Sequence, residues 1–241
     1  MKIFAHRGYC GLYPENTMIA FNKAHEAKSD GIELDVQLTK DGEVVIIHDE
    51  KVDRTTDKTG LVCQYTYAEL HTLNAAVHFP LITPFAPIPT FKEYCQWVKT
   101  TDLITNIELK TGIIYYPELE QKVIEILKEH KLFDKVIISS FNPLSLVITQ
   151  RINPNLPLAL LVEEHGLVNA GYLCKQFGFS YYHPNSKEMT KEGVEECNKH
   201  GIEVNIWTAN TKEELTHCSS IGAVGIFTNY PKEMREIIHT L

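Results

Sequence analysis

The sequence has no long apolar run. Its longest purely aliphatic stretch runs from Leu158 to Val162, far short of the ~20 residues that a membrane-crossing helix needs. Basic residues are in the minority, with 23 Lys+Arg against 31 Asp+Glu and a net charge of −8. Such a chain has no field to gather nucleic acid or an anionic membrane surface, and neither is expected as a partner. The cysteines Cys10, Cys63, Cys95, Cys174, Cys197 and Cys218 form no C-x-x-C pair, which argues against a zinc site and a disulfide framework. Between Met1-Lys2 and His6-Arg7-Gly8 stand only Ile3, Phe4 and Ala5. That is too little for a secretory core, so free thiols in a reducing cytoplasm are expected. Low-complexity tracts and fixed-period repeats are also lacking.

What is present is the mix of an ordinary globular chain, 44% hydrophobic and 22% charged, enough apolar surface to offset the entropy of folding. The 241 residues fit one large domain or two small ones, and α/β barrels use roughly 200–250 as one unit. Short β-branched or aliphatic runs alternate with longer amphipathic ones. Strands are expected at Lys2–Ala5, Gly31–Val36, Leu103–Leu109, Val136–Ser139, Leu158–Val162, Phe179–His183, Glu203–Trp207 and Val224–Thr228. Helices are expected at about Asn16–Ala27, Phe91–Lys99, Glu118–His130, Pro143–Ile152, Val168–Phe177, Lys191–His200, Lys212–Ser219 and Lys232–His239. Eight such units point to a (β/α)₈ TIM barrel spanning residues 1–241 as one domain. An open doubly wound sheet is the alternative, without the G-x-G-x-x-G that would mark a dinucleotide site after the first strand.

One stretch breaks the alternation. Lys40-Asp41-Gly42 is hairpin-turn chemistry, so the second strand is expected to overshoot the barrel and return as Glu43–His48, bringing His48 opposite Glu33 or Leu34. The following segment, about 49–89, has no long helical period and carries Pro80, Pro84, Pro87 and Pro89. It reads as a small inserted cap between strand 2 and helix 2, of a length that usually serves a site.

Active sites of such barrels lie at the C-terminal ends of the strands. His6 and Arg7 follow strand 1; Glu33 and Asp35 lie two apart on strand 2 and face one side. Glu108 and Lys110 repeat the pattern at the end of strand 3, and His48 returns through the hairpin. Each alone has a plain structural explanation: a polar strand face, a surface histidine, a cross-strand ion pair. Glu163 and Glu164, at another strand end, are read as surface acids. Together the first seven groups are chemically matched. Glu33, Asp35 and Glu108 would repel unless a cation joined them, and oxygen-only ligands suit one divalent ion such as Mg²⁺ or Ca²⁺. Arg7 and Lys110 beside it would receive an anionic oxygen, and two imidazoles can act as acid and base. The implied class is metal-assisted phosphoester cleavage.

These residues resemble the glycerophosphodiester phosphodiesterase family over nearly the whole chain. The resemblance rests on His6-Arg7-Gly8, Pro14-Glu15-Asn16-Thr17, Glu33-Leu34-Asp35-Val36, Val45-Ile46-Ile47-His48-Asp49, Asp53-Arg54-Thr55-Thr56, Gly60 and Glu69-Leu70. It continues through Ile88-Pro89-Thr90, Ile107-Glu108-Leu109-Lys110, Ser139-Ser140-Phe141, Trp207-Thr208-Ala209-Asn210 and Gly225-Ile226-Phe227-Thr228. It implies a divalent ion on Glu33, Asp35 and Glu108, an acid/base pair at His6 and His48, and phosphate contacts from Arg7 and Lys110. Phe141 and Trp207 resemble aromatic positions on the glycerol side. The implied reaction is hydrolysis of a small glycerophosphodiester to sn-glycerol 3-phosphate and an alcohol, through attack by the glycerol 2-hydroxyl and a cyclic phosphate. Members often carry Thr-Asp before the final proline; here Thr228-Asn229-Tyr230-Pro231 places a carboxamide at the rim. Glu15 and Asn16 read as a brace for Arg7 or a helix cap.

Three other readings follow from the same residues. A related barrel could cleave another lipid-headgroup phosphodiester, as phospholipase-like relatives do. A barrel that binds without cutting would be expected to lack a histidine or a carboxylate, and all five are present. A Schiff-base aldolase would rest on Lys110 alone.

Overall fold

A computed structural model describes residues 1–163, 166–187 and 189–239; Glu164 lies outside them. Eight parallel strands close into a barrel: β1 (Lys2–Ala5), β2 (Gly31–Leu38), β4 (Ile104–Leu109), β5 (Val136–Ser140), β6 (Leu158–Val162), β7 (Tyr181–Pro184), β8 (Glu203–Ile206) and β9 (Gly225–Thr228). Closure comes from β1, which pairs with β9 on one side (Ile3 with Ile226) and with β2 on the other (Phe4 with Gly31). Among the described residues, no helix is long and apolar enough to cross a membrane.

Strand periodicity separates two cores. Ile32, Leu34 and Val36 of β2, and Ile107 and Leu109 of β4, face outward into the main apolar core. They meet α1 (Met18–Glu26) through Phe21, α3 (Phe91–Val98) through Tyr94, and α4 (Leu119–His130) through Val123 and Leu127. The alternate residues point inside, where Phe4, Ile137, Ala159 and Phe227 fill the barrel. Burying Phe4, Ile137 or Phe227 contributes about 1.5–3 kcal/mol each. The barrel's lower interior is therefore packed, and the polar residues of the same strands are left for its upper end.

The helices begin where side-chain oxygens take up free backbone N–H groups. Thr17 caps α1 by accepting from Ala20, which is why that helix starts later than the expected Asn16. Thr90 and Glu93 form a reciprocal capping box on α3. Asn142 caps α5 (Pro143–Ile152), with Pro143 in the first turn. Helices α6 (Ala170–Phe177), α7 (Lys191–Lys199), α8 (Lys212–Ser220) and α9 (Pro231–Ile238) complete the ring.

The hairpin is present, with β3 (Val44–Ile46) antiparallel to β2 and Val36 opposite Ile46. It is shorter than Glu43–His48. Ile47 still donates to Asp35 O at 3.0 Å, but the carbonyls of Ile47, His48 and Asp49 turn to the Gln37 side chain, which ends the ladder. The register, carried on, sets His48 at the level of Leu34. Residues 49–89 then fold over Val45, Ile47, Val52, Val62, Leu70, Leu73 and Ile88, a small apolar cluster of their own. They hold a 3₁₀ turn at Val62–Gln64 and one short α-helix, α2 (Tyr67–Leu70), closed by a Thr66–Glu69 capping box.

Candidate active site

The first functional loop starts from backbone shape. Arg7 (φ 52°) and Gly8 (φ 78°) both adopt the left-handed region, which turns the chain sharply after β1 and presents His6 and Arg7 to the barrel mouth. A Cβ on residue 8 would lie 2.7 Å from the Ala20 backbone, so glycine is required on both counts. The same turn aims the Arg7 N–H at Glu33 Oε2, 2.8 Å away.

Glu33, Asp35 and Glu108 are buried, at 5%, 0% and 8% exposure. One oxygen from each lies within 4.8 Å of the others. Burial, followed by repulsion from Asp35 and Glu108, raises Glu33 well above the usual carboxylate range. Burial and Asp35 likewise raise Glu108, despite its 2.9 Å bond from Lys110 Nζ. Asp35 goes the other way: burial works against its charge, but His48, Arg7, Lys110 and the 2.8 Å bond from Asn16 Nδ2 outweigh it and hold it near 2. Its second oxygen, Oδ1, is buried without a hydrogen-bond partner. An unpaired buried carboxylate oxygen beside two further acids could serve as a cation ligand, and the all-oxygen donor set fits a hard divalent ion.

The two imidazoles flank these acids. His6 Nδ1 lies 2.7 Å from Asn229 Oδ1, which also accepts from Cys10 Sγ at 3.2 Å. His48 Nδ1 lies 2.7 Å from Asp49 Oδ1. An oxygen beside each Nδ1 favours the ring proton there, so that either ring, when neutral, offers its Nε2 lone pair. His6 Nε2 is 4.0 Å from Glu33, and His48 Nε2 is 3.3 Å from Lys110 Nζ. Burial, with Arg7 adding to it, pushes His6 down to about 4, so it rests neutral.

The cations are held as firmly. Arg7 Nη1 donates to Glu15 Oε1 at 3.0 Å, with Nε 3.7 Å from Asp35. Burial disfavours the Lys110 ammonium, but Glu108 and Asp35 raise it above the ordinary lysine range. A Schiff base needs the neutral amine, so the aldolase reading loses its nucleophile.

A cavity of about 600 Å³ opens over this group, with His6, Arg7, Glu33, His48, Glu108 and Lys110 on its wall. Phe141 and Trp207 line it too, edge to face at 5.6 Å. Asp35 sits fully buried beneath. Five residues of the site go beyond the roles that sequence reading assigned. Glu163 and Glu50 also line the cavity, although Glu163 reads as a surface acid. Asn229 reaches His6, and Gln37 and Asp49 fix His48. Asp49, directly beside a candidate histidine, and Asn229, already marked at the rim by its departure from the family's Thr-Asp, carried signals that could have been used.

Fold and site together define a (β/α)₈-barrel enzyme with its polar groups gathered at the C-terminal mouth. The sequence model of the glycerophosphoryl diester phosphodiesterase family matches residues 6–233, and the chain belongs to that family. It is 42% identical over 233 residues to a glycerophosphodiester phosphodiesterase of Bacillus altitudinis, covering 95% of each chain. A glycerophosphodiester phosphodiesterase of Caldanaerobacter subterraneus subsp. tengcongensis is 39% identical over 236 residues, covering 98% of this chain and 97% of its own. Among solved structures, an Oleispira antarctica phosphodiesterase in complex with the product sn-glycerol-3-phosphate superposes with a TM-score of 0.90 at 26% identity, over 99% of this chain and 97% of that one.

Proposed function

We propose that the protein hydrolyses glycerophosphodiesters to sn-glycerol 3-phosphate and an alcohol, with His6 and His48 as general acid and base. The observation that carries this is one mouth in which three acids lie within 4.8 Å of one another between two imidazoles and two cations. The Oleispira relative's product complex supports the same substrate class. Residues 1–241 act as one unit in the cytoplasm, with 49–89 as a cap.

Glu33, Asp35 and Glu108 would hold one divalent ion, Mg²⁺ or Ca²⁺, which when bound neutralises negative charge on the phosphodiester and polarises it. Arg7 and Lys110 bind the non-bridging phosphate oxygens and fix the diester between the histidines. One histidine takes the proton of the glycerol 2-hydroxyl on its Nε2 lone pair as that oxygen attacks phosphorus. The other, entering the cycle as the imidazolium, protonates the departing alkoxide. Water then opens the cyclic phosphate with the two roles exchanged. Phe141 and Trp207 offer the glycerol carbons an apolar wall. Chelation with EDTA, and separately Glu33→Ala, should abolish release of glycerol 3-phosphate from glycerophosphocholine. Activity that survives both would refute the metal role.

A second reading, cleavage of a larger lipid-headgroup phosphodiester, is favoured by a groove of about 480 Å³ that shares Phe141, Leu161 and Glu163 with the cavity and continues over Leu167, Leu173 and Phe177. Assaying intact lipid beside its deacylated form decides between them.

A further inference from the structure

Arg54 stands outside the cavity, on the cap, with its side chain about half exposed. All three of its guanidinium nitrogens are committed. Nε donates to Asp49 Oδ2 at 2.7 Å and Nη2 to Asp49 Oδ1 at 3.0 Å. Nη1 and Nη2 donate to Glu15 Oε2 and Oε1, both at 2.7 Å. Each carboxylate carries a second bond toward the site: Asp49 Oδ1 to His48 Nδ1, and Glu15 Oε1 to Arg7 Nη1. The backbone of Arg54 is tied back into the cap by His78 Nε2, 2.8 Å from its carbonyl.

We propose that Arg54 is a positioning residue that couples seating of the cap to the alignment of His48 and Arg7. The proposal rests on the roles given above to those two residues. Its physical basis is the shape of guanidinium. A planar fork with two usable edges can grip two carboxylates at fixed angles, whereas an ammonium holds either one as a point charge. Without Arg54, Glu15 and Asp49 face each other as like charges. Asp49 is then free to swing from His48 Nδ1, and the ring loses both its tautomer and its direction. Glu15 is likewise free to draw Arg7 out of line with the phosphate. A single exposed ion pair would have little such leverage. Here four bonds act at one remove from two groups that meet the substrate.

The test uses the full chain as wild type, Arg54→Ala, Arg54→Lys, Asp49→Asn and the Arg54→Ala/Asp49→Asn double variant. Turnover of glycerophosphocholine is measured beside the ¹⁵N NMR signals of the histidine rings at a pH where both are neutral. Arg54→Ala should lower kcat at least tenfold, move the His48 ring nitrogens toward tautomer-averaged shifts, and change the melting temperature by only a few degrees. Arg54→Lys should behave like the alanine variant, and the double variant should lose less than the product of the two single losses, because both act in part through the His48 ring. Millimolar guanidinium chloride should restore part of the Arg54→Ala rate. Wild-type kcat and unmoved His48 signals in Arg54→Ala would overturn the proposal. So would full activity in Arg54→Lys, or losses that multiply in the double variant. A wild-type enzyme inert on glycerophosphocholine would instead count against the substrate reading, and the ring signals would still decide the role of Arg54.

Discussion

The side-chain amide of Gln37 donates to the main-chain carbonyl of His48 at 3.0 Å, so a residue of β2 fixes the backbone of a candidate catalytic histidine beyond the end of β3. The same amide reaches the carbonyls of Ile47 and Asp49 at 2.9 and 2.8 Å. Its oxygen accepts from Tyr116 Oη at 2.8 Å. Gln37 is fully buried. Gln37→Leu should therefore strand several buried polar groups at about 1–3 kcal/mol each where water cannot reach them. The expected outcome is a lower urea midpoint together with reduced kcat, because the turn carrying His48 loosens. Unchanged turnover would show that Asp49 and Arg54 suffice to hold the ring.

The acidic cluster makes a prediction about stability that needs no substrate. Three buried carboxylates within 4.8 Å repel one another, so a divalent ion should raise the melting temperature. At a hundredfold excess over its Kd the gain is about 2.7 kcal/mol. Glu33→Gln removes one of the repelling charges, so the chelated protein should melt higher than chelated wild type while responding less to Mg²⁺ or Ca²⁺. Thermal melts with EDTA and with each ion measure both effects. A wild type indifferent to every divalent ion would remove the case for a cation at this cluster.

The backbone plan was legible because the period-2 strands and amphipathic helices alternate, and the ends of the expected elements shift by only one or two residues. Strand β7 begins at Tyr181 instead of Phe179 because Phe179 packs into the apolar core outside the barrel. The site was legible where charge and chemistry coincide on a strand end, as at Glu33, Asp35 and Glu108. It was not legible where a neutral amide does the holding. Gln37 looks like any polar residue of a strand until folding brings Ile47–Asp49 to it, and Asn229, though it departs from the family's aspartate, gives no local sign that it meets His6. Glu163 faces the cavity at a strand end with nothing local in sequence to separate it from a surface acid.

Asn229 gives the companion prediction for the other histidine. Its Oδ1 lies 2.7 Å from His6 Nδ1, and Asn210 Oδ1 accepts from the Asn229 N–H at 2.8 Å, which sets the backbone from which the carboxamide projects. Asn229→Ala removes the acceptor and keeps the backbone bond. The ring is then free to rotate and to exchange tautomers, so kcat should fall by about tenfold or more, within the roughly 10²–10⁴ that a positioned acid or base supplies. The melting temperature should move little. Steady-state kinetics beside thermal melts check it, and a variant with wild-type kcat would show that packing alone orients His6.

His183 sets a pH limit on the fold that is independent of the reaction. It is fully buried inside the barrel, with Nε2 3.0 Å from Asn205 Nδ2, Nδ1 without a partner, and its ring 5.0 Å from that of Phe227. Burial pushes it down to about 3, against about 6.5 in the unfolded chain. Between those values the unfolded state binds a proton that the native state refuses, so stability rises with pH and is lost as pH falls below about 6.5. The loss from this one group approaches 1.4 kcal/mol per pH unit, or about 2 kcal/mol by pH 5. His183→Asn removes the titrating ring and leaves an amide oxygen for Asn205. Its urea-derived stability should start lower at pH 7 and then fall less steeply toward pH 5 than that of wild type. Parallel slopes in the two proteins would mean that His183 takes up its proton without unfolding the barrel.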